Sequence, residues 1–248
     1  VKILLLDIET APNRAFVWGL WDQNVATNQV IQSSYILCWA AKWLGDPVLH
    51  FDRVRGGKSH TGMLKRIWAL LDEADIVVHY NGLKFDIPTL NKEFIKAGLQ
   101  PPSPYKQIDM MRVVKQAFRF ESNKLDYVSQ ALNIGQKKRH EGFGLWVKCM
   151  ENDPAAWRKM ESYNRGDVKL LETLYRRLRP WIRLHPNWSA HKSGLCCPKC
   201  GSEKVQQRGT QVAQTTTYLR YHCQSCGGWF RGNKPTSVNR SERGVNIV

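Results

Sequence analysis

Two carboxylates close an apolar run at the start of the chain, Val1-Lys2-Ile3-Leu4-Leu5-Leu6-Asp7-Ile8-Glu9-Thr10. A run of this kind reads as a strand buried on both faces. Residues two apart on a strand point the same way, so Asp7 and Glu9 would look at one point in space. At ~4 Å and an effective dielectric of ~20, two such charges repel by roughly 4 kcal/mol. A fold accepts that repulsion when a divalent cation offsets it or when one carboxylate keeps its proton. The plainer alternative is that Asp7 caps a turn and Glu9 is solvated. Asp86 ends Asn81-Gly82-Leu83-Lys84-Phe85-Asp86, a glycine-containing turn behind a second apolar stretch. It would stand near a sheet edge, where α/β sites form, although by itself it reads as a helix cap. Tyr163 and Asp167, at i and i+4 of a helical pattern, share a face. Gly166 beside them costs a helix up to ~1 kcal/mol relative to Ala, which suggests that something packs close there. Read singly, Asp167 is a solvated helix residue and Tyr163 a core aromatic.

Cysteines form a second chemical cluster. Five of the seven fall between 196 and 226, and Cys197-Pro-Lys-Cys200-Gly and Cys223-Gln-Ser-Cys226-Gly are C-x-x-C knuckles. Without a secretory signal such pairs point to metal before disulfides, and the spacing suits a tetrahedral four-cysteine Zn²⁺ site. Sets that use Cys196 or His222 instead break the paired spacing. A unit of residues 195–231 is too small for an apolar core of its own, and chains below ~40 residues usually need such a cross-link. It looks like a zinc ribbon.

The elements that must position these groups follow from periodicity and punctuation. Tyr35 to Leu44, Pro47 to Phe51 and the aromatic stretch Phe16 to Trp21 read as strands beside the first one. Met63, Ile67, Leu70 and Leu71 have helical spacing within 61–74. A short buried strand, 75–79, precedes a helix from about 87 to 97, which Gly98 and the prolines at 101, 102 and 104 stop. Asp109 stands as an N-cap before a helix over 110–118, and a second helix covers 124–132. Lys137-Lys138-Arg139-His140 is a basic loop, and Pro154 opens one or two helices that run to about Trp181. The expected organisation is a mixed α/β domain over 1–186, a linker over 187–194, the ribbon over 195–231 and a flexible tail over 232–248.

The chain has 248 residues and a formal charge of +16. Residues 1–100 carry 11 Lys/Arg against 10 Asp/Glu, residues 101–186 carry 17 against 9, and residues 187–248 carry 9 against 2. A basic excess placed in this way fits a polyanion such as nucleic acid. No apolar run approaches the ~20 residues of a membrane helix, and no signal pattern opens the sequence, so a cytoplasmic protein is expected.

Taken together, Asp7-Ile8-Glu9, then Asn81 to Asp86, then Tyr163 with Asp167 resemble the DEDD 3′–5′ exonucleases in their tyrosine variant. The exonuclease domains of family-B DNA polymerases are the nearest likeness. Lys124-Leu125-Asp126-Tyr127 is similar to the helix start ahead of the third motif. The histidine variant has His five residues before the last Asp, where this chain has Ser162; the tyrosine of the other variant matches Tyr163. The resemblance covers about residues 1–183. It implies an RNase H-like mixed sheet flanked by helices, with two Mg²⁺ or Mn²⁺ ions at ~3.5–4 Å separation among four carboxylates. By analogy Asp7 bridges both ions, Glu9 and Asp167 hold the one that activates water, Asp86 helps hold the other, and Tyr163 orients the water. The implied product is a 5′-mononucleotide from a 3′ end, with single-stranded DNA the favoured substrate. An RNase D-like exoribonuclease remains open, as does a catalytically silent binding module. Lys137, Lys138 and Arg139 are candidates for phosphate contact, and Arg208, Arg220 and Arg231 could grip nucleic acid on the ribbon. A protein partner docked on the ribbon is the alternative there.

Overall fold

The computed structural model describes residues 1–55, 60–214 and 216–236. The chain divides into two compact units, Lys2–Tyr175 and a second made of Val1 with Arg176–Val248.

The first unit is built on strand β1 (Ile3–Thr10). After a short pair, β2 (Arg14–Ala15) and β3 (Val30–Gln32), follow β4 (Ile36–Trp43), β5 (Leu49–Arg53), α1 (His60–Glu73), β6 (Ile76–His79), α2 (Asp86–Lys96), β7 (Lys106–Asp109), α3 (Met110–Ala117), α4 (Leu125–Ala131), α5 (Phe143–Met150) and α6 (Pro154–Leu178). The main sheet has the order β5-β4-β1-β6-β7. β1 lies antiparallel to β4 and parallel to β6, and β6 lies parallel to β7. This is a mixed sheet flanked by helices, as the motif resemblance implies.

Alternation along β1 sets its two faces. Leu4, Leu6 and Ile8 join a core with Met63, Leu64, Ile67 and Leu71 of α1 and Leu90 and Phe94 of α2. Each aliphatic side chain so buried contributes ~1.5–3 kcal/mol. Asp7 and Glu9 take the alternate positions. A separate core of Leu37, Cys38, Leu145, Cys149, Trp157, Met160 and Tyr163 seats α5 and α6. β1 and β4 slip register between Glu9 and Thr10, an irregularity of the kind that re-aims side chains at strand ends.

Two features differ from the sequence-based expectation. Phe16 to Trp21 is not a strand. Pairing stops at Ala15, opposite Val30, and Phe16, Trp18, Leu20 and Trp21 are exposed. The Gln29 side chain shapes this loop, donating to the Phe16 carbonyl and accepting from the Ala26 N–H. Aromatic content without a sheet face to cover does not make a strand. β7 and α5 are additional elements, one hidden behind the three prolines and the other between the basic loop and Pro154. The stretch expected to form one or two helices up to about Trp181 is a single 25-residue α6 followed by a 3-10 turn.

The second unit carries an antiparallel sheet of β8 (Val205–Val212), β9 (Thr217–Cys223) and β10 (Trp229–Pro235), with β9 central. β10 continues through 232–235, which corrects the start of the expected tail; residues 237–248 lie outside those described. Segment 187–194 is hydrogen-bonded into the cysteine knuckles rather than free. The Trp188 N–H donates to the Pro198 carbonyl, and Lys192 Nζ to the Gly201 carbonyl. Among the described residues no helix is long and apolar enough to cross a membrane.

Candidate active site

The parallel strands end where the carboxylates gather, at the edge where open α/β sheets place their sites. β1 pairs with β6 only over Ile3–Leu5. Farther along, the Ile8 N–H donates instead to Asp86 Oδ1 at 3.1 Å. Asp86 is the first residue of α2 and is buried. The turn that delivers it is tightly specified. The Gly82 N–H donates to Nδ1 of the fully buried His79, and His79 Nε2 meets Gln107 Oε1. A Cβ on Gly82 would stand 2.4 Å from His79 Cγ, so only glycine fits. Asn81, at φ 66°, donates its N–H to Asp109 Oδ1. Asp109 also caps α3 through the Met111 and Arg112 N–H groups, the structural role expected of it.

Asp7, Glu9 and Asp167 each present an oxygen within 4.8 Å of the others. Further side chains hold this cluster. Asn164 Nδ2 donates to Asp7 Oδ2 at 2.6 Å, and Trp146 Nε1 donates to Glu9 Oε2 at 3.1 Å. Lys137 Nζ lies 2.6 Å from Asp167 Oδ2 and donates to the Tyr163 hydroxyl at 2.9 Å. His140 packs edge-on against both Trp146 and Tyr163. Lys137, a candidate for phosphate contact, stands in the carboxylate cluster. Its neighbour Lys138 bonds Ser162 Oγ and lines a groove of about 340 Å³ with Arg158, Arg165 and Lys169. The Lys138 stem would meet a Cβ on Gly166 at an ordinary 3.6 Å, so close packing does not demand that glycine. Arg139 is exposed.

Electrostatics follow from this crowding. Burial, then the charges of Glu9, Asp86 and Asp167, push Asp7 well above the usual carboxylate range, against the pull of Lys137. Burial and the Asp167 charge push Glu9 up to about 8, and burial pushes Asp86 up to about 7. Burial raises Asp167 too, and Lys137 opposes the rise. Burial depresses Lys137, but the Asp167 charge and the hydrogen bonds to Asp167 and Tyr163 outweigh it and leave the ammonium firmly protonated. Burial and the Asp167 charge raise Tyr163, which keeps its proton. Three carboxylates converge beside one ammonium, with Asp86 anchored at the same strand end, and an all-oxygen donor set suits a hard divalent cation. Asn164 and the Trp146 hydrogen bond are not foreseen from the sequence. Asn164, one residue after Tyr163, carries no signal in composition or period.

In the second unit, Cys197, Cys200, Cys223 and Cys226 present sulfurs within 4.8 Å of one another. Cys197 and Cys226 are 3.7 Å apart, and Cys200 and Cys223 are 3.6 Å apart. A tetrahedral ion with Zn–S bonds of ~2.3 Å separates sulfurs by about 3.8 Å, whereas a disulfide needs about 2 Å. The Cys226 N–H points at Cys223 Sγ. Although burial raises the Cys223 thiol, backbone N–H groups bring it down to about 7. The cluster fits a zinc ribbon.

Carboxylates gather at one end of a mixed five-stranded sheet, an arrangement that fits a nuclease-type fold. The profile described as RNase_H superfamily matches residues 48–179, and the chain belongs to that superfamily. The match includes Asp86, Tyr163 and Asp167, while β1 precedes it. Among solved structures, the family B DNA polymerase of the hyperthermophilic archaeon Pyrobaculum calidifontis is similar, with a TM-score of 0.56 and 17% identity. The likeness covers 72% of this chain and 24% of the polymerase chain. No curated protein matches in sequence.

Proposed function

We propose that the protein is a metal-dependent 3′–5′ exonuclease of the DEDD tyrosine type, acting on single-stranded DNA. One observation carries this reading: Asp7, Glu9 and Asp167 converge within 4.8 Å, and the intervening Ile8 N–H anchors Asp86 to the same strand end. The likeness to a DNA polymerase supports DNA as substrate. Two Mg²⁺ or Mn²⁺ ions held by Asp7, Glu9, Asp86 and Asp167 would activate water and neutralise charge on the scissile phosphate. The protein's own groups do the rest. Asn164 and Trp146 fix the rotamers of Asp7 and Glu9 by hydrogen bonds, so the ligands are set before substrate arrives. Tyr163 keeps its proton and orients water by hydrogen bonding rather than acting as a base. Lys137 links Tyr163 to Asp167 and places a fixed positive charge beside the reaction centre. In the ribbon, Cys197, Cys200, Cys223 and Cys226 would hold a structural Zn²⁺, in keeping with a cytoplasmic setting where thiols stay reduced.

The test is a 5′-labelled single strand, as DNA and as RNA of the same sequence, incubated with Mg²⁺ or Mn²⁺. The expected result is a ladder that shortens from the 3′ end, faster on DNA, and absent in Asp7→Asn and Asp167→Asn variants. Preferential shortening of RNA would reassign the substrate. No shortening of either strand would reject the nuclease reading and leave a binding module.

A further inference from the structure

The three-stranded sheet of the second unit has two unlike faces. Tyr218, Arg220 and His222 alternate along β9. The register sets Trp229 opposite His222 and Arg231 opposite Arg220. On the other edge, Gln206 of β8 pairs with His222. The rings of His222 and Trp229 stack with centroids 4.6 Å apart at 29°. The Arg220 guanidinium lies 5.0 Å over Trp229, and that of Arg231 lies 4.1 Å over Tyr218. The opposite face carries Tyr221 stacked on Phe230, both half-buried. One face is packed apolar ring on ring; the other is a ladder of alternating rings and cations.

That ladder is held in place. β8 breaks register between Gln207 and Thr210, with Gly209 at φ 68°. The break brings the Arg208 carbonyl to Arg220 Nε at 3.0 Å, while Arg208 Nε donates to Gln206 Oε1 at 3.0 Å. Each of these guanidinium groups therefore keeps its terminal N–H groups for another acceptor. Arg208, Arg220 and Arg231 are exposed, and Trp229 is 48% exposed. From Lys204 to Thr236 the sequence has five Lys/Arg and no Asp or Glu, so the segment has no carboxylate of its own to satisfy them.

We propose that this face binds an unpaired nucleic-acid strand, with bases stacked on Trp229 and Tyr218 and phosphates taken by Arg208, Arg220 and Arg231. A guanidinium flat on a ring offers its edge donors to phosphate oxygens, and ring faces accept any base that is not already stacked in a duplex. An acidic peptide would satisfy the arginines and leave the rings without an occupant. The assignment concerns binding alone, needs no ion at the carboxylates, and goes beyond the cleavage reading.

The test uses the full-length, zinc-loaded chain with no Mg²⁺ or Mn²⁺ added. Fluorescence anisotropy follows labelled oligo-dT, oligo-rU and a duplex of equal length across a salt series, with polyglutamate as a competitor. Trp229→Ala is expected to weaken single-strand binding by about tenfold with an unchanged salt slope, and Trp229→Phe to restore most of the loss. Arg220→Gln with Arg231→Gln should weaken binding and flatten the slope of log K against log salt by about 1.4, or ~0.7 for each phosphate that the variant no longer neutralises. Zinc content and circular dichroism verify that each variant is folded. Arg231→Gln alone, at an exposed position on an edge strand, supplies a mild variant should the double one lose zinc. Unchanged affinity and slope in the folded variants, tighter binding of the duplex, or equal competition by polyglutamate would overturn the proposal. Loss of strand shortening with this binding intact would reject the exonuclease reading alone.

Discussion

The carboxylate cluster should make the stability of the metal-free protein fall as pH rises. Glu9 titrates near 8 in the fold against 4.5 in a free chain, and Asp86 near 7 against 3.8. Between those limits the folded chain holds protons that the unfolded chain has released. The stabilisation is therefore fully present below the unfolded values and is lost as pH climbs through the folded ones. One such group changes stability by about 1.4 kcal/mol per pH unit. Followed from pH 5 to 8, a single group removes about 4 kcal/mol, or about 10 °C of Tm for a chain of this size. Hard cations bind the ionised carboxylates, so their stabilising effect must grow with pH. The assay is a set of thermal melts in buffers freed of divalent ions by resin rather than by chelator, which would strip the cysteine site. Melts with and without added Mg²⁺ or Mn²⁺ at several pH values complete it. A flat metal-free Tm, or a metal-induced shift of equal size at pH 5.5 and pH 8, would refute the reasoning.

Other substitutions probe single features of the site. Gly82→Ala puts a methyl group 2.4 Å from a His79 ring that has no room to move; melts should show a loss of about 1–3 kcal/mol, and an unchanged Tm would contradict the packing. Gly166→Ala meets only the Lys138 stem at 3.6 Å and should raise helix stability by up to ~1 kcal/mol, so a fall in Tm would show that glycine is required there. Asn164→Ala removes the 2.6 Å donor to Asp7, a charge-assisted bond contributing about 1.5–3 kcal/mol. Mn²⁺ affinity should drop by about tenfold or more with the circular dichroism unchanged, and unaltered affinity would remove Asn164 from the site.

The parts of this site readable in the sequence are those with a strong local signal. An apolar run ending in Asp7 and Glu9 declares a buried strand, and alternation along a strand puts the two on a shared face. Gly82 marks a turn, and the reason becomes visible only when His79 is seen filling the space above it. The cysteine spacing specifies its own geometry. What stayed hidden depends on contacts between distant segments. Nothing about Lys137 in a basic run says that it turns inward to Asp167 and Tyr163, since that follows from how the loop after α4 crosses α6. Trp146 reads as one tryptophan among ten, and its N–H reaches Glu9 across 137 positions of sequence. Phe16 to Trp21 misled for the opposite reason: β-favouring side chains are present, but the surface that would pair with them is not.

Catalysis of the proposed kind requires Asp7, Glu9, Asp86 and Asp167 to hold divalent cations together. Mn²⁺ titration of the zinc-loaded chain, followed by electron paramagnetic resonance at neutral pH, tests this most directly. Two Mn²⁺ ions should bind, and Asp7→Asn should abolish binding while the fold and the zinc remain. Absence of bound Mn²⁺, or the same binding in Asp7→Asn as in the parent chain, would contradict the shared cation site.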